Sequence, residues 1–195
     1  MNSLPKSSVG SKSKYTLFVS RCGLHRTELE TPQLGAAVYV FIAKSDKDFK
    51  PFPTNQLKTL RQMRISITHS NEISLKKKLD LIVDGIFGYS LKGNPRGIAA
   101  QLIEWANHQS VPSLALDSPS GLDTITGTIF QPASQATATL TLALLKKDFL
   151  VSSAKKQIGE LYLADISVPL EIYSKPPLEL KVSNIFTQNE VIRLW

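Results

Sequence analysis

Cysteine is nearly absent from this chain. The single Cys22 excludes an intrachain disulfide and any multi-cysteine metal cluster, and such usage fits a reducing, cytoplasmic compartment. Histidine is scarce too, and His25, His69 and His108 have no metal-ligand spacing. Long apolar runs are missing. No window reaches the length of a membrane span, and MNSLPKSSVGSKSKYTLFVS contains only the short apolar run Leu17-Phe18-Val19, too short for a secretory core. Neither a zinc finger nor an RNA-binding signature occurs, so no nucleic acid and no membrane is expected as a partner. Ser120 lies in SPSGL rather than Gly-x-Ser-x-Gly, which discounts hydrolysis by a serine nucleophile.

What is present is a one-domain length of 195 residues with a formal charge of +7. The basic excess is uneven. Residues 1–14 carry three lysines and no acid, and Lys76-Lys77-Lys78 and Lys146-Lys147 form two local runs. Such patches suit an anionic small molecule or a solvated face equally well. Residues 1–14 are expected to be a loose basic arm.

Strands are expected at Tyr15–Ser20, Ala36–Ile42, Asp80–Val83, Ser113–Asp117, Ala136–Leu144 and Glu160–Ala164, with an edge strand at Arg64–Ile67. Helices are expected at Asn55–Met63 and Ile98–Asn107, and a short or irregular one between the first two strands. Ser45–Pro53, with its two prolines, reads as a loop. Strands separated by helix-length segments indicate an α/β fold, a mostly parallel sheet with helices on both faces. In such sheets, binding groups gather beyond the carboxyl ends of strands.

Two stretches fall at such ends. DGIFGYSLKG begins at Asp84 and DSPSGLD at Asp117, 33 positions later. Pro119 fixes one backbone angle and Gly121 permits geometries closed to other residues. Asp117 can accept a proton, orient a hydroxyl or help bind a cation. Free amides in the turn can hold a phosphate. The competing reading is a capped turn with Asp123 solvated. In the earlier stretch, Gly88 and Gly93 permit close approach of a ligand to the backbone, and Lys92 or Arg96 can pair with phosphate. His25 follows the first strand, where dinucleotide sites often begin.

Four blocks in order, DLIVDGIFGYSLKG, SLALDSPSGLDTITG, ATATLTLALLKK and GELYLADISVP, span roughly Asp80 to Pro169. Together they resemble the NAD(P)H-hydrate epimerase family, the YjeF N-terminal domain also found in the apolipoprotein A-I binding protein. The resemblance implies a Rossmann-like three-layer α/β/α sandwich over residues 15–170. It implies interconversion of the R and S hydrates of NADH and NADPH, with hydrated NAD(P)H or a related nucleotide as partner and a homodimer as assembly. It matches Asp117 to a substrate-contacting aspartate, the proposed proton-transfer group. Asp84 and Ser120 match potassium ligands, and Gly88, Tyr89, Ser90, Leu91, Lys92 and Gly93 match the substrate-binding loop.

The chain departs from that pattern at Ser20–Gly35, SRCGLHRTELETPQLG, where the family has a glycine-asparagine loop that cradles the dinucleotide. The alternative reading is therefore an inactive nucleotide- or protein-binding domain. Residues 171–195 resemble the connection to a dehydratase domain.

Overall fold

The computed structural model describes residues 14–19, 37–43, 49, 51–68, 79–88 and 91–195. Among these, eight strands form one sheet: β1 (Lys14–Val19), β2 (Ala37–Ile42), β3 (Ser66–Thr68), β4 (Leu81–Gly85), β5 (Ser113–Leu116), β6 (Ala138–Leu142), β7 (Glu160–Ala164) and β8 (Val191–Arg193). Their spatial order is β3-β2-β1-β4-β5-β6-β7-β8. All pairs are parallel except β7 with β8. The chain thus winds outward from β1 in one direction through β2 and β3, then in the other from β4. That reversal places a topological switch point between β1 and β4, where open α/β sheets form their binding crevice.

The described helices are α1 (Pro51–Gln62), α2 (Gly97–Asn107), α3 (Lys155–Ile158) and α4 (Leu170–Ser174). The period-2 alternation of the strands sends alternate side chains to opposite faces. Val38, Val40 and Ile42 of β2 pack with Leu57 and Leu60 of α1. Phe41, between them, packs with Leu102 and Ile103 of α2. Two helices therefore cover opposite faces of one sheet, giving the three-layer sandwich that the sequence led us to expect. Ile98 and Trp105 lie half-buried against the α2 cluster. The Trp105 ring sits 6.0 Å from that of Phe41.

Two of the boundaries that differ from the sequence reading have a backbone cause. α1 begins at Pro51, inside the segment expected to be a loop. Proline is compatible with a first helical turn, because its fixed φ is helical and the N–H it lacks has no intrahelical acceptor there. β5 stops at Leu116 because Asp117 turns into the left-handed region, with φ of 66°.

Residues 171–195 hold most of α4 and all of β8. β8 runs antiparallel along β7, with Leu163 opposite Ile192. Trp195 closes this edge. Its carbonyl accepts from the Leu161 amide at 3.1 Å, and its indole N–H donates to the Gly159 carbonyl at 3.1 Å. It also packs against the buried cluster of Leu122, Phe149, Ala154, Ile158 and Leu161. The expected irregular helix between β1 and β2, with Cys22 and His25, lies outside the described residues, as does His69.

Candidate active site at the carboxyl ends of three strands

Asp84 is the fourth residue of β4, and Ser120 follows β5 by four positions. The sheet places β4 and β5 side by side, and the two side chains meet. Asp84 is 3% exposed and Ser120 fully buried. The Ser120 hydroxyl donates to Asp84 Oδ1 at 2.5 Å, and the Ser120 amide donates to Oδ2 at 2.8 Å. A third donor, the Ile86 amide, reaches Oδ1 at 3.2 Å. The Ser120 oxygen accepts in turn from the Phe87 amide at 2.9 Å. Burying a carboxylate is costly unless hydrogen bonds compensate. Here they do, and they join the two rim segments singled out in the sequence.

Asp117 stands at the next position along this rim. Its left-handed backbone is strained for a residue with a Cβ, though aspartate tolerates it better than most. Oδ1 accepts at 3.3 Å from the amide of Leu142, the last residue of the adjacent strand β6. It also forms an ion pair with Lys146, whose ammonium donates a second bond to the Leu142 carbonyl at 3.1 Å. Asp117 and Lys146 keep 24% and 16% side-chain exposure, so the pair is shielded yet reachable. The sequence reading counted Lys146 only as part of a basic run. The missed signal was its place just past a strand that neighbours β5.

The DSPSGLD turn is tied down internally. Asp117 and Ser118 amides donate to the Leu140 and Leu116 carbonyls, each at 2.8 Å, and the Leu122 amide to Pro119 at 3.1 Å. With the Ser120 amide held by Asp84 and the Asp123 amide by the Thr128 carbonyl at 2.9 Å, five amides of this turn are already engaged. That corrects the expectation that the turn offers a row of free amides to phosphate. Asp123 is not merely solvated either. It accepts from the Ile125 amide at 2.8 Å and the Thr126 hydroxyl at 2.8 Å. The Ile125 hydrogen bond is the main reason its carboxyl lies below the ordinary value of 3.8, and burial opposes that shift only in part.

Gly88 follows the Phe87 amide that binds Ser120, which sets the start of the glycine loop beside the rim. Gly93 adopts φ of +76° with open space around it. Leu91 is half-buried, while Lys92 and Arg96 are exposed. Lys92 forms no ion pair among the described residues, and Tyr89 and Ser90 lie outside them. The loop is anchored where the Asn94 side-chain oxygen accepts from the Gln131 amide at 3.1 Å. A cavity of about 310 Å³ opens beyond β6 and β7, lined by Ala143, Asp165, Tyr173 and Phe186 among others. Asp84, Asp117 and Ser120 do not border it, so it does not mark this site.

A doubly wound α/β protein with acidic and basic groups at the carboxyl ends of β4, β5 and β6 is the class that fold and site define. Comparison with known proteins narrows it. Residues 31–148 match the family described as YjeF-related protein N-terminus, and the chain belongs to that family. A bifunctional NAD(P)H-hydrate repair enzyme Nnr from Moorella thermoacetica is 41% identical over 93 residues, 48% of this chain and 18% of its own length. An NAD(P)H-hydrate epimerase of Legionella pneumophila (strain Paris) is 37% identical over 108 residues, 55% of this chain and 40% of its own. The chain therefore spans well under half the length of these relatives. The crystal structure of yeast ynu0 superposes with a TM-score of 0.67 at 21% identity, covering 94% of this chain and 77% of the yeast one; at that identity the likeness concerns the fold. The Ser20–Gly35 segment lies outside the described residues.

Proposed function

We propose that the protein is an NAD(P)H-hydrate epimerase, an isomerase interconverting the R and S hydrates of NADH and NADPH. The observation that carries the reading is the assembled rim: Asp84 bonded to Ser120, with the part-exposed Asp117 carboxylate three positions earlier in the same turn, paired with Lys146. Relatives named for NAD(P)H-hydrate epimerisation and repair match about half of this chain, and the family match spans the rim. Epimerisation needs a bond at the hydrated carbon to break and re-form on the other face. Asp117 takes a proton as that bond breaks and returns it on closure, so nothing is consumed. General acid–base transfer of this kind contributes about 100-fold or more. The Gly88–Gly93 loop, with Lys92 exposed, is the proposed cradle for the pyrophosphate, and the net charge of +7 favours an anionic ligand.

Potassium belongs to the same proposal, with Asp84 and Ser120 as its ligands. Among the described residues no lysine or arginine pairs with buried Asp84, and its three donors are neutral. A buried carboxylate in that state is a fitting neighbour for a cation, and oxygen ligands suit a hard one. Ser120 retains an acceptor position after its bond to Phe87. A bound cation would add positive charge beside an anionic substrate.

Homodimer assembly and a cytoplasmic location complete the proposal. The first rests on the resemblance, the second on the near-absence of cysteine. No helix among the described residues is long and apolar enough to cross a membrane. The test is to add purified protein to a single hydrate epimer and follow equilibration by chromatography. The expected result is acceleration over the spontaneous rate, enhanced by potassium over sodium. A rate equal to the spontaneous one overturns the assignment and favours a domain that binds without turnover.

A further inference from the structure

The geometry points to Lys146 as the positioning residue of this site, holding one oxygen of Asp117 so that the other faces the substrate. The inference rests on the epimerase reading for its kinetic consequence, but the arrangement itself is independent of it. Four groups close a small ring. The Leu142 amide and the Lys146 ammonium both donate to Asp117 Oδ1, and the same ammonium donates to the Leu142 carbonyl. Asp117 Oδ2 accepts no hydrogen bond among the described residues. The carboxylate is thus anchored by one oxygen and presents the other.

Two features distinguish this pair from an incidental surface contact. Exposed ion pairs hold two long side chains loosely and contribute little. Lys146 is instead mostly covered, at 16% exposure, and bonded to two acceptors at once, whereas the adjacent Lys147 is exposed. Asp117 also holds a left-handed backbone, φ 66°, a strain that persists where surroundings over-determine a conformation. Lys146 supplies part of that determination from the end of β6.

Kinetics of Lys146→Met, Lys146→Arg and Lys147→Met in the full chain test the proposal. Lys146→Met is expected to lower kcat about 100-fold, the effect of misplacing a reacting group by about 1 Å, with KM changed less than about threefold. Lys146→Arg, which retains charge and donors, is expected to recover all but about tenfold, and Lys147→Met to match wild type. Wild-type kcat in Lys146→Met, with wild type active, overturns the inference and leaves the epimerase reading standing. An inactive wild type overturns the epimerase reading, and amine labelling then decides the positioning role. Acetic anhydride is expected to modify Lys146 more slowly than Lys147, with the difference abolished by Asp117→Asn. Equal labelling of the two lysines in wild type overturns the role.

Discussion

At Gly121 the backbone leaves no room for a side chain. Its φ is +96°, and an added Cβ would lie 2.6 Å from the Ala133 Cα and 2.7 Å from the Pro132 carbonyl oxygen. Gly121→Ala combines left-handed strain with overpacking against backbone, and is expected to cost about 3 kcal/mol in urea unfolding. Asp123 gives a pH-dependent contribution. Its folded-state carboxyl lies below 3.8, so its stabilisation is complete above that value and is lost as pH falls through the lowered one. The stability gap between wild type and Asp123→Asn, measured as Tm, is expected to narrow from about pH 6 to about pH 3. The need for glycine at 121 was legible, because a proline-serine-glycine turn after a strand demands unusual angles. The Asp117–Lys146 pair was not, because 29 positions separate them and only the β5–β6 pairing brings them together.

Strand identity followed from β-branched and leucine-rich runs. Boundaries were less legible where backbone chemistry outweighs side-chain pattern. The prolines of α1 read as loop because their tolerance in a first turn leaves no periodic signal. The pairing of β8 was hidden for another reason: EVIRLW is short, and its acceptor edge on β7 is set by tertiary structure. Trp195 carries much of that edge. It hydrogen bonds to Gly159, packs on the Leu161 cluster and faces the Lys155 ammonium at 5.6 Å. Trp195→Ala is expected to destabilise the fold by about 2 kcal/mol, since packing and a hydrogen bond are lost together. Thermal melting measures this, and an unchanged Tm would show that β8 docks without it.

Across the whole molecule, the strand reversal between β1 and β4 decides where chemistry can gather. Moving outward from that switch, β4 supplies Asp84, β5 leads to Asp117 and Ser120, and β6 leads to Lys146. The sequence already indicated two of these three rim segments, because each follows an apolar run directly. It left open whether they touch, which the Asp84–Ser120 hydrogen bonds answer. We propose that this rim does proton-transfer chemistry on a hydrated nicotinamide ring, through Asp117. The most direct measurement is the rate at which one NADH-hydrate epimer converts to the other with wild type and with Asp117→Asn, each checked for an intact melt. Wild type is expected to accelerate conversion, and the variant to fall by about 100-fold or more at unchanged fold. A folded Asp117→Asn protein that matches wild type would contradict this proposal.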